Sequence, residues 1–110
     1  MYLFFIFVYY KMLDFYLTRS TNPNKKYSVL YLKGDKVKTI NFGASGYNDY
    51  IITNNDAQKK RYINRHKNDN IDDYNFAGFW SMHLLWHHKT IKESIKYIEK
   101  TYKINIINLL

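Results

Sequence analysis

A chain of 110 residues with 17 Lys and Arg against 9 Asp and Glu, a net charge of +8, has the length of one domain and is strongly basic. Hydrophobic residues at 46% and aromatics at 19% exclude a disordered tail, because such a chain can bury enough apolar surface to fold. The lack of cysteine excludes a disulfide framework, a thiolate zinc site and a cysteine nucleophile.

Part of the basic excess is compositional. Asn, Ile, Lys and Tyr make up 50 of the 110 residues, and Lys outnumbers Arg fourteen to three. All four are encoded by A/T-rich codons, so net charge says little about a polyanionic partner and the placement of charge says more.

Residues 1–10 are almost wholly apolar, and Lys11 ends the run. Spanning a bilayer takes about 20 apolar residues, and neither a basic start nor a small-residue cleavage site marks a signal peptide. Three readings fit residues 1–11: a leader upstream of a start at Met12, untranslated or disordered, which is favoured because ordered sequence begins at Leu13; a buried or interfacial strand; and a membrane-surface anchor. Residues 12–110 form a single basic α+β domain that is not secreted.

From Leu13 the period is two. Leu13, Phe15 and Leu17 alternate with Asp14, Tyr16 and Thr18, which predicts a first strand. Residues 20–26 form a loop around the only proline, Pro23. Strands over 27–32 and 37–42 follow, joined through a two-residue turn at Gly34-Asp35 with glycine first. That register pairs Tyr27 with Phe42, Val29 with Ile40 and Tyr31 with Lys38 on one face. Leu30, Leu32, Val37 and Thr39 lie on the other.

Gly43 and Gly46 then break the strand pattern. Asn54, Asn55 or Asp56 caps a helix running to about Lys67. Residues 68–75 are a polar, acidic loop, and 77–86 a short buried helix. Thr90-Ile-Lys-Glu93 is a capping box opening a helix to about Tyr102. Ile91, Ile95, Ile98 and Tyr102 make its core stripe, and Lys89, Lys92, Lys96, Lys100 and Lys103 a solvent stripe. The expected architecture is a three-stranded antiparallel meander followed by two to three helices packed on one face.

Charge is segmented. Residues 57–67 carry five cations and no acid, residues 68–88 carry only Asp69, Asp72 and Asp73, and residues 89–103 carry five Lys against two Glu. Two basic helices flank an acidic, aromatic connector.

The ordered series Phe42-Gly43-Ala44, Gly46-Tyr47-x-Asp49-Tyr50, Lys60-Arg61-Tyr62, Arg65-His66, Ala77-Gly78-Phe79-Trp80-Ser81 and Leu84-Leu85-Trp86, closing with Thr90 and Ser94-Ile95, spans roughly residues 14–106. It resembles a family of short basic proteins of unknown function encoded mainly by large nucleocytoplasmic DNA viruses. Ile51-Ile52-Thr53, His83, His87 and His88 depart from that family's pattern. The resemblance implies a viral origin and an intracellular place in the infected host, in the cytoplasm, a viral factory or the virion. It carries no established activity.

Several constellations compete for a function. Gly43 and Gly46 could cradle a phosphate, but they lack the full nucleotide fingerprint, and the favoured reading is a strand-to-helix crossover through positive φ. Lys59, Lys60, Arg61, Arg65, His66 and Lys67 lie on one helix, with Lys60, Asn64 and Lys67 on one side and Arg61 and Arg65 on the next. They could follow a phosphate backbone while Tyr47, Tyr50 or Tyr62 stacks on bases. The competing reading is a solvated face enriched in Lys. The arginines weigh more, because Arg is scarce here. His83, His87 and His88 have a metal-like spacing but no completing ligand, so no metal is expected. Phe79, Trp80 and Trp86 could dock a protein, although helical spacing favours core, with Trp86 the more exposed tryptophan. Asp49 and His66 lack a matched nucleophile, so no catalytic residue and no cofactor is expected.

The resulting expectation is a non-catalytic, sequence-tolerant binder of nucleic-acid phosphates. Its partners are DNA or RNA, with no small-molecule substrate and no transmembrane segment. The binding residues are Lys59, Lys60, Arg61, Arg65, His66 and Lys67, helped by Lys92, Lys96 and Lys100. The structural motif is Gly43, Gly46, Tyr47, Asp49, Tyr50, Gly78, Phe79, Trp80 and Trp86. The alternative is a virion or protein-interaction module with acidic partners.

Overall fold

Side-chain alternation decides the sheet. In the computed structural model, which describes residues 12–110, strands β1 (Asp14–Arg19), β2 (Lys25–Lys33) and β3 (Lys36–Ala44) pair antiparallel in chain order. The expected leader lies outside the described residues. Tyr27 faces Phe42, Val29 faces Ile40 and Tyr31 faces Lys38, the register expected of a turn at Gly34-Asp35. Gly34 has φ +67°, whereas Asp35 is not among the positive-φ residues, as a turn with glycine first requires.

The sheet has a fourth strand that the sequence reading missed. β4 (Asn105–Asn108) adds parallel to β1, giving the order β3-β2-β1-β4 and a mixed sheet instead of an antiparallel meander alone. Lys103, at φ +56°, ends the last helix in a left-handed turn and sends the chain back to the sheet. Asn105 N–H donates to Leu13 C=O at 2.8 Å and Leu109 N–H to Leu17 C=O at 2.9 Å. Four residues with two outward asparagines carry too little periodicity to be read locally, and their partner lies 91 residues away.

The inward face is Phe15, Leu17, Val29, Tyr31, Ile40, Phe42 and Ile106, all buried. On the other face Leu32 and Val37 are 63% and 65% exposed. Helices α1 (Tyr50–Thr53), α2 (Asp56–Arg65), α3 (Ala77–Trp80) and α4 (Ile91–Tyr102) follow. α3 continues into a π-helical segment, Ser81–Trp86, where His87 N–H reaches Met82 C=O. Five successive residues, Met82 to Trp86, are buried, because this helix lies against β3 and is flanked by α1, α2 and α4.

α4 opens as its capping residues require, with Thr90 Oγ1 accepting from Glu93 N–H at 3.1 Å. Its stripe differs from the expected one. Ile98 and Ser94 are fully buried, while Ile91, Ile95 and Tyr102 pack half-buried around them. Among the described residues no helix is long and apolar enough to cross a membrane.

Candidate functional site

The loop from β3 to α1 is built around Asp49. Its buried carboxylate accepts from Ile52 N–H at 3.0 Å, capping α1, and from Lys26 Nζ at 2.8 Å. Lys26 also donates to the Tyr47 carbonyl at 2.5 Å, so one lysine of β2 holds two points of the loop. Gly43 has φ +77°, and a Cβ there would stand 3.0 Å from Leu85 Cδ1. Backbone conformation and packing both demand glycine at that position.

α2 supplies the facing wall. Asn55 Oδ1 accepts from Gln58 N–H, and the helix ends at Arg65, two residues before the expected Lys67. Half-buried Tyr62 stacks on Trp86, with ring centroids 4.0 Å apart and planes 5° from parallel. That contact anchors α2 on the π-helical segment, with Arg61 and Arg65 along the side that borders the loop.

Between them lies a cleft of about 710 Å³, lined by Lys25, Lys26, Gly43, Gly46, Tyr47, Asp49, Arg61, Tyr62, Arg65, His66, Gly78 and Trp86, among others. Four permanent cations face one carboxylate, and that carboxylate is committed to Lys26. Among the described residues Arg61 and Arg65 enter no ion pair. The acidic connector does not neutralise them. Asp69 pairs with His66 Nδ1 at 2.6 Å, and Asp72 accepts from Tyr102 Oη at 3.0 Å. Asp73 is held below the ordinary carboxylate range by hydrogen bonds from the Asn75 backbone and side chain. Exposed guanidinium groups without a carboxylate partner, gathered in a concave space, suit an anion with several oxygens.

The expected binding residues separate. Arg61, Arg65 and His66 meet in the cleft. Lys59, Lys60, Asn64 and Lys67 line a second groove on the outer side of α2, Arg61 borders both spaces, and Lys92, Lys96 and Lys100 line neither. Neither of these two spaces is shared by the two basic helices. Lys59 is half-buried and structural, with Nζ donating to His87 C=O at 2.7 Å and lying 4.7 Å over the Tyr50 ring.

The aromatics are also corrected. Tyr50 is buried with its hydroxyl on Asp56 Oδ1, and Tyr62 is occupied by Trp86. Of the three tyrosines offered for base stacking only Tyr47 is open, at 73% exposure. Trp86 is 6% exposed and Phe79 and Trp80 are fully buried, so this group is core and not a docking patch.

Sequence reasoning missed Lys25 and Lys26, which it left in the preceding loop. The signal was present. Extending the Tyr27–Phe42 pairing by one more hydrogen-bonded pair sets Lys25 opposite Ala44, beside the Gly43 turn.

The histidines form a separate buried cluster. His83 Nε2 lies 2.8 Å from Ile71 C=O and 3.1 Å from Tyr102 Oη, and His83 Nδ1 lies 3.1 Å from His87 Nδ1. The carbonyl assigns a proton to His83 Nε2, so the proton between the rings sits on His87 Nδ1. Burial pushes His87 down to about 4, with His83 and Lys59 adding to the shift. Burial also lowers His83. Among the described residues no group of three metal-ligating side chains converges.

No curated protein and no solved structure matches this chain. The model of a family of unknown function (DUF5754) matches residues 16–66, so from β1 to the end of α2, through both walls of the cleft, the chain is similar to that family.

Proposed function

We propose that the cleft between the β3–α1 loop and α2 binds nucleic acid through its phosphates, without catalysis and with little regard to base sequence. The observation that carries this reading is the pair Arg61 and Arg65, four residues apart on one side of α2, unpaired and directed into a concave space that also holds Lys25 and Lys26. Phosphate contacts of this kind supply affinity and register without reading sequence. A virus-encoded accessory role inside the host cell belongs to the same proposal and is supported only by the motif series from Phe42 to Ile95.

The test is binding of fluorescent oligonucleotides at low ionic strength. The Arg61→Ala/Arg65→Ala protein should lose about tenfold or more in affinity. Unchanged affinity would refute the proposal.

The alternative partner is an acidic protein. The exposed lysine stripe of α4, which lines neither cavity, favours it. A partner that co-purifies after nuclease treatment and is lost with Lys96→Ala/Lys100→Ala would support that reading.

A further inference from the structure

Tyr47 is the most exposed large apolar side chain among the described residues, and a side chain of β2 holds its backbone carbonyl. Its carbonyl accepts from Lys26 Nζ, and its N–H donates to Ala44 C=O at 3.4 Å. Two residues later Asp49 is fixed to Lys26 and to α1. A ring left in water on a loop tied at Tyr47 and Asp49 loses less conformational entropy on stacking than one on an untethered loop. It lines the same cleft as Arg61 and Arg65, and no other aromatic ring lining that cleft is comparably exposed.

From this juxtaposition we infer that the cleft takes an unpaired nucleotide of a single strand, with its phosphate on Arg61 and Arg65 and its base stacked on Tyr47. The inference rests on the phosphate-binding reading above and adds the ligand class. In a duplex the faces of the bases are stacked on one another and only their edges reach the grooves, so a tyrosine stacks on a base only where the strand is unpaired. A volume of about 710 Å³ lies in the range of pockets that enclose a small ligand. Stacking on Tyr47 is sequence-tolerant, because every base offers a π-face. Deoxyribose and ribose strands present the same phosphate and base.

The experiment is a cycle crossing Tyr47→Ala with removal of bases. Affinities are measured for oligo-dT, oligo-U, an abasic strand of the same length and a duplex. The wild type should bind oligo-dT or oligo-U about tenfold more tightly than the abasic strand. Tyr47→Ala should erase that difference, and Tyr47→Trp should keep it, with indole emission quenched on binding. An oligo-dU arm beside oligo-U, with the same base, reports which sugar the cleft accepts. If the Arg61→Ala/Arg65→Ala protein loses binding but abasic and base-bearing strands bind the wild type equally, the stacking inference fails and phosphate binding stands. If the arginine substitutions change nothing, the phosphate reading itself fails. Duplex binding equal to oligo-dT also overturns the inference. Circular dichroism of Tyr47→Ala controls for folding, and the exposed ring removes no core contact.

Discussion

Lys26 Nζ and Asp49 Oδ2 meet at 2.8 Å across 23 residues of sequence, and this contact fastens the rim of the cleft to the sheet. The same carboxylate caps α1, and the same ammonium holds the Tyr47 carbonyl. Asp49 is nearly inaccessible while Lys26 keeps some contact with water, so removing either partner strands a charge that is only partly solvated. Asp49→Ala should cost about 3 kcal/mol, counting the lost cap and the unpaired lysine, with a discount for Lys26's exposure. Asp49→Asn keeps the cap acceptor and should cost less. Urea unfolding with unchanged slope measures both. A cost for Asp49→Ala within about 0.5 kcal/mol of zero would contradict the role given to this pair.

Gly43 and Gly46 both hold positive φ, but they differ in surroundings. A Cβ at Gly43 meets Leu85 Cδ1 at 3.0 Å, whereas at Gly46 it meets open space. Gly46→Ala should cost about 1 kcal/mol from backbone strain alone. Gly43→Ala should cost more, about 2–3 kcal/mol, because Leu85 must also shift. Thermal unfolding of the two variants gives the order, and equal costs would mean that the Gly43–Leu85 contact is not tight.

Local patterns made much of this fold legible. The Tyr27–Phe42 register followed from period-two alternation and one turn glycine, the start of α4 followed from Thr90, and that of α2 was narrowed to Asn54, Asn55 or Asp56, of which Asn55 is the cap. What stayed hidden depends on distant contacts. β4 exists because Asn105–Asn108 finds β1, and the cleft exists because Lys26, Asp49, Arg61 and Tyr47 come from three separate elements. Spacing on α2 separated the Arg61 and Arg65 side from the Lys60 and Lys67 side. It could not tell which side faces the β3–α1 loop, because that depends on Tyr62 finding Trp86. Lys59 looked like a surface cation until the His87 carbonyl captured it.

The histidine cluster gives stability a pH dependence with a definite sign. In the unfolded chain His87 takes up a proton near its ordinary value of 6.5, whereas in the fold burial holds it to about 4. Unfolding between those values therefore binds protons. The stability is fully present above pH 6.5 and declines as pH falls towards 4, by no more than about 1.4 kcal/mol per pH unit for each histidine. His83, lowered mainly by burial, acts in the same direction. Tyr102 works at the other end. Burial and its hydrogen bond to Asp72 push it up to about 12, so its contribution is present below pH 10 and is lost as pH rises towards 12. Denaturation midpoints across pH 4–7 should slope upward, and His87→Asn should flatten that limb. An unchanged slope in the variant would remove His87 from the account.

The central claim, that nucleic-acid phosphates sit on Arg61 and Arg65 in the cleft, is tested most directly by the salt dependence of single-strand affinity. In a plot of log affinity against log salt, each phosphate contact on a single strand contributes about 0.7 to the slope. Arg61→Ala/Arg65→Ala should make the slope shallower by about 1–1.5, and Lys96→Ala/Lys100→Ala should leave it nearly as steep as in the wild type. A slope untouched by the arginine pair, or one that drops only with the lysines of α4, would contradict it.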